Sequence, residues 1–103
     1  MQLLTITVSV PASTDAVVVR LSGEADLSTA AQLRRDLRTA AAAGMPVEID
    51  LSDVQFADSS CVTALSAFTS DLRAAGRTCR LVGVSRRTRR LLELTGRLDL
   101  LDP

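Results

Sequence analysis

The sequence predicts an α/β domain with a mixed β-sheet, helices packed mainly on one face, and the order β-β-α-β-α-β-α. Three observations carry this. Stretches with strand-like apolar character alternate with stretches of helical apolar spacing. Glycines stand where the helical stretches end, at Gly44, Gly76 and Gly96. Only a short turn cluster separates the first two strands, which favours an antiparallel hairpin, while helices separate the later strands and imply parallel crossovers.

Taken in order, Leu4-Thr5-Ile6-Thr7-Val8-Ser9-Val10 alternates with period two, as a half-buried strand does. Pro11 to Asp15 is a turn cluster, and Ala16 to Leu21 is a second, more continuously apolar strand. Ser22-Gly23-Glu24-Ala25-Asp26 is expected to break it. Thr29 followed by Gln32 fits a capping box, so a helix should open near Ser28 or Thr29, with Ala30, Leu33, Leu37 and Ala41 on its apolar side. Gly44 stops it and Pro46 lies just beyond. Val47, Ile49 and Leu51 alternate with Glu48 and Asp50 as a third strand. A second helix should run from about Ser60 to Ala75, with Val62, Leu65, Phe68 and Leu72 in one stripe. Thr78 to Val82 is a fourth strand, Ser85 caps a third helix over Arg86 to Leu94, and Leu98-Asp99-Leu100 is a short strand or turn.

The most informative stretch runs from Asp50 to Leu65. An alternating apolar run ends in Asp58-Ser59-Ser60, and a helical pattern starts at once. A serine pair therefore sits where a strand turns into a helix N-terminus, which gathers backbone N–H donors and the positive end of the helix dipole. In sheets of this kind, sites collect where strands end and helices begin. The place suits a capping side chain and a phosphate equally well.

Composition narrows the function classes. At 103 residues the chain is read as one domain, residues 1–103. It can bury roughly two-thirds of its unfolded surface, enough for a core without staples. Twelve bases, all arginine, balance twelve acids, which argues against nucleic-acid binding by bulk charge. No apolar run approaches bilayer-spanning length and no basic region precedes Arg20, so no membrane span and no secretory signal are expected. Cys61 and Cys79 make no disulfide framework, and a cytoplasmic protein with free thiols is the expectation. Histidine is absent, so Ser-His or Cys-His catalysis lacks its base. The two cysteines lack metal-ligand spacing. No cofactor, no metal and no catalytic residue is expected. The arginines at 86, 87, 89 and 90 read as a solvated helix face in preference to a phosphate grip.

Three segments in order resemble the STAS domain, the family named for sulphate transporters and anti-sigma factor antagonists. Gly23-Glu24-Ala25-Asp26 is similar to its Gly-Glu-x-Asp turn; Asp50 to Val54 with Phe56 to Ser60 resembles its strand and phosphorylation loop; Ser85 to Gly96 resembles its last well-formed helix. The resemblance covers nearly the whole chain and implies a single STAS-like domain acting as an anti-sigma factor antagonist. It implies a partner that is both an anti-sigma factor and a histidine-kinase-like serine kinase, phosphorylation at Ser59 that ends the binding, and a serine phosphatase that resets it. With zero net charge and no histidine, neither direct nucleic-acid contact nor enzyme activity is expected beside it. Asp26, Asp58, Ser60, Cys61 and Thr63 are the partner-binding positions it implies. Where the family usually has Gly after the serine pair, this chain has Cys61, whose Cβ and sulfur would restrict a partner's approach. Thr63 adds bulk one step on, and the chain ends at Pro103 where many members continue into another helix.

From position alone, Ser59 fits a helix cap as well as a phosphate acceptor, and Ser60 fits a pure cap better. Asp58 and Asp26 fit turn residues as well as partner contacts. A packing role suits Cys61 better than a nucleophilic one, and Cys79 belongs in the core. The alternative function is an unphosphorylated STAS module that binds a small ligand or serves in a larger regulatory or transport complex.

Overall fold

The opening alternation becomes an antiparallel pair, β1 (Thr5–Ser9) with β2 (Val17–Ala25), in which Ile6 faces Leu21 and Val8 faces Val19. The structure is a computed structural model and describes residues 3–101. β3 (Val47–Phe56) lies parallel to β2, and β4 (Cys79–Val82) lies parallel to the first part of β3, so the sheet order is β1-β2-β3-β4. Helices α1 (Ala30–Ala41), α2 (Ser60–Ala74) and α3 (Arg86–Leu94) complete the predicted order, with 3-10 turns at Leu27–Thr29 and Leu98–Leu101. The terminal element is thus a 3-10 turn and not a strand. Among the described residues no helix is long and apolar enough to cross a membrane.

One face of the sheet carries the core. Val17, Val19 and Leu21 of β2 and Val47, Ile49 and Leu51 of β3 are buried against Leu33 and Leu37 of α1 and Leu65 of α2. Ala40 takes the buried place expected of Ala41, which is half-buried. α2 is buried on two sides: Cys61, Ala64 and Leu65 join the main core, while Val62 meets Leu92 of α3 and Leu100 in a smaller one. Arg73 of α2 ties that smaller core down through backbone carbonyls, its Nη2 donating to Cys79 O at 3.0 Å and Leu100 O at 3.2 Å. Ser85 Oγ accepts from the Thr88 N–H at 3.1 Å, the cap its sequence position predicts.

Two local expectations are corrected. β2 does not break after Leu21: residues 22–25 continue beside β3, Ser22 opposite Asp53 and Ala25 opposite Phe56. The long third strand supplies partners that override the local turn signal. Gly23 marks a close approach and not a reversal, for its φ is 101° and a Cβ there would collide with the carbonyl oxygen of Leu3. The second correction concerns the start of α1. Asp26 makes the cap with Thr29, and Gln32 instead donates through Nε2 to Leu4 O at 3.2 Å, tethering α1 to the chain entering β1.

The register also shifts within the parallel pair. Arg20 faces Asp50, but Ser22 faces Asp53, so β3 carries one extra residue. Asp50 Oδ1 accepts from the Ser52 N–H at 2.9 Å across this bulge. Inward alternation runs Val47, Ile49, Leu51 and resumes as Val54 and half-buried Phe56. Asp53 is turned outward, where it pairs with Arg20.

Candidate functional site

The end of β3, the start of α2 and the 3-10 turn before α1 meet at one corner. Asp26 opens that turn: its Oδ1 accepts from the Ser28 N–H at 2.9 Å and the Ser28 hydroxyl at 2.6 Å, and its own N–H donates to Thr29 Oγ1 at 3.0 Å. Asp58 joins the two chain segments. Its Oδ1 accepts from the Ser60 N–H at 2.8 Å, and its Oδ2 accepts from the Leu27 N–H at 3.1 Å. Ser59 is the N-cap of α2 by its backbone, its carbonyl accepting from the Thr63 N–H at 2.9 Å, while the side-chain bond at this helix end comes from Asp58.

The serines are placed accordingly. Ser59 is exposed and its hydroxyl makes no capping bond. Ser59 thus holds the cap position that the sequence allows it, but Asp58 in its place bonds a free N–H of the first turn. Ser60, expected as a pure cap, is instead the first residue of α2, and it contributes its N–H to Asp58. Thr63 is exposed one turn further, with Oγ1 donating to Ser59 O at 3.1 Å.

Cys61 has no exposed surface. Its Sγ points beneath the corner, 3.4 Å from Asp26 O and 3.7 Å from Thr29 Oγ1. As a side chain that touches a partner it is corrected: helical geometry turns the residue two places after Ser59 into the core. Nor does its sulfur obstruct the surface. Burial, with Asp58 and Asp26 nearby, pushes its thiol pKa up, which opposes the thiolate a nucleophile needs. Cys79 is buried and raised for the same leading reason. Among the described residues no group of three or more His, Cys, Asp or Glu is placed to hold a metal.

One residue escaped the sequence analysis. Leu27 is 75% exposed beside the Asp58 carboxylate, an apolar side chain at the centre of a polar corner. The signal was present in principle, as a leucine directly after a capping acid sits on the outward side of the first turn.

Asp58 is held below the usual carboxylate range, above all by the Ser60 backbone N–H, with help from Leu27. The Ser52 N–H lowers Asp50 likewise. With a lowered folded pKa, the unfolded chain binds the proton more readily. The stabilisation is thus complete above the ordinary carboxylate value of about 3.9 and is lost as pH falls through the lower folded value. Urea midpoints should show Asp58→Asn less stable than the parent above about pH 5, with the gap closing as pH falls below about 4.

Comparison with known proteins bears on this corner. The family model described as "Mlab, STAS domain" matches residues 8–102. Among curated proteins, the anti-sigma-B factor antagonist of Bacillus subtilis (strain 168) is 29% identical over 99 residues, spanning 96% of this chain and 91% of that protein. An anti-sigma factor antagonist from Mycobacterium paratuberculosis superposes with a TM-score of 0.82 at 30% identity, over 96% of this chain and 83% of that one. The Bacillus cell fate determinant SpoIIAA in its phosphorylated form shares the fold, with a TM-score of 0.70 at 23% identity over 94% of this chain and 88% of that one.

Proposed function

Because the chain belongs to the STAS domain family, we propose that it is an anti-sigma factor antagonist switched by phosphorylation of Ser59. In its unphosphorylated form it binds an anti-sigma factor that is also a serine kinase, a phosphatase restores the bound form, and the cycle runs in the cytoplasm. The observation that carries this reading is the exposed Ser59 hydroxyl, free of any capping bond, next to an Asp58 whose two oxygens hold both sides of the corner. Leu27, Asp26, Asp58, half-buried Ser60 and Thr63 form the partner surface around it, while Cys61 supports it from within.

The chemistry of the switch is electrostatic. Phosphorylation adds roughly −1.5 to −2 charge at neutral pH. Asp58 already carries a charge there, its pKa being lowered. A partner shaped around one carboxylate then meets about three negative charges at one place. The α2 N-terminus tolerates the phosphate, so affinity changes while the fold stays.

The relatives named above as anti-sigma factor antagonists support the reading by kinship. Its test is capture from host lysate on the immobilised protein, followed by phosphorylation with purified captured material and ATP. The expected result is a histidine-kinase-like ATPase that labels the parent at Ser59 and leaves Ser59→Ala unlabelled. Labelling elsewhere, or capture of transport proteins in its place, would sink this reading and favour a STAS module in a larger complex.

A further inference from the structure

β3 has a neighbour on both edges along its first half and on one edge along its second. β4 pairs with Val47–Asp50 and stops, while β2 continues beside β3 to Phe56. Alternate residues of a strand direct their backbone N–H and C=O to opposite edges. The Ala57 N–H donates to Ala25 O at 2.8 Å, so residue 57 faces β2. Counting back, Val54 and Phe56 face the other edge. There, among the described residues, their N–H and C=O groups have no hydrogen-bond partner.

Between this edge and α3 opens a groove of about 740 Å³ that runs on across β3 to Gly23 of β2, and Val54, Phe56, Arg87, Arg90 and Leu94 present surface to it. Arg87 and Arg90 are three residues apart and share a side of α3. Both are exposed, and among the described residues neither forms a salt bridge. The acid bordering the groove, Asp53, is already held by Arg20. Leu94 is 72% exposed and gives the wall an apolar end. The nine residues of α3 span roughly 14 Å, the reach of a four-residue strand.

We infer that this groove binds an extended acidic segment of a partner protein, added as a fifth strand beside Val54–Phe56. The segment's backbone satisfies the open edge, its carboxylates meet Arg87 and Arg90, and an apolar side chain rests on Leu91 and Leu94. A small anion would meet the arginines yet leave both backbone pairs unmet. The groove shares no residue with the Ser59 corner, so this inference stands or falls apart from the proposed function.

The test titrates isotope-labelled protein with the peptide acetyl-Glu-Val-Glu-Val-Glu-amide into the millimolar range, following amide shifts and hydrogen exchange. Shifts and slowed exchange at the Val54 and Phe56 amides are expected. Of two N-methylated peptides, one methylated at both valines and one at the first and third glutamates, the one whose methyls face β3 should bind about tenfold more weakly, as should the Arg87→Glu/Arg90→Glu pair. That pair lies on an exposed helix face, and an unchanged melting temperature would certify its fold. The inference is overturned if the peptide causes no shifts, if the shifts map to Asp58–Ser60, or if neither N-methylated peptide loses affinity, since charge alone would then explain it. Protection of the same amides that grows with protein concentration and without peptide would also overturn it, naming a second copy as the occupant.

Discussion

Ser59→Asp is expected to bind the captured anti-sigma factor at least about tenfold more weakly than the parent, while Ser59→Ala binds as the parent does. A tenfold loss corresponds to about 1.4 kcal/mol. Aspartate carries one negative charge where phosphoserine carries roughly −1.5 to −2, so the substitution gives a lower bound on the switch. The residue is exposed and its hydroxyl makes no capping bond, so neither change should move the melting temperature. Titration calorimetry at two salt concentrations checks the cause. The gap between Ser59→Asp and Ser59→Ala should narrow at high salt, because screening shortens the reach of surface charge to a few ångström. Equal affinity for all three proteins would leave the partner in place and remove the switch.

Gly23→Ala is expected to cost about 3 kcal/mol, lowering the melting temperature by roughly 12–20 °C. Two penalties combine. The backbone at φ 101° disfavours any L side chain, and the new Cβ would strike the Leu3 carbonyl oxygen, which belongs to the main chain and cannot rotate away. Gly44→Ala is the control. Its φ of 75° carries the conformational penalty, but nothing lies within 4 Å of the added carbon, so about 1 kcal/mol is expected. Chemical denaturation of the three proteins separates the terms. Equal losses at both sites would show that the contact with Leu3 contributes nothing.

What could be read in the sequence was what local chemistry decides. α3 was legible to the residue, because Ser85 caps it and Thr95-Gly96 ends it within the same short segment. The place of α2 followed from its apolar stripe and Gly76, and the Asp58-Ser59-Ser60 corner from a change of period. What escaped depends on residues far apart in the chain. β2 reaches Ala25 only because β3 runs on to Phe56 beside it. Gln32 looked like the partner of Thr29 until Leu4 claimed it. Asp58 bonds the N–H of Leu27, 31 positions earlier, and no local pattern announces that bond. Cys61 reads in the sequence as a surface departure, but the pitch of α2 sends it inward.

The extra residue in β3 has a consequence for how this gene can change length. Losing the codon for Ser52 would leave plain alternation, with Leu51 inward, Asp53 outward and Val54 inward, so the core would keep all its members. Losing the codon for Gln55 would instead turn Phe56 outward and carry Asp58 out of step with the Leu27 N–H. The connection between β1 and β2 can gain or lose a residue at little cost, since Ala12 to Asp15 are exposed and bound to no distant partner. Descent by insertion and deletion is therefore permitted in the hairpin loop and at one place within β3. It is forbidden from Val54 to Asp58, where the spacing carries the same information as the letters.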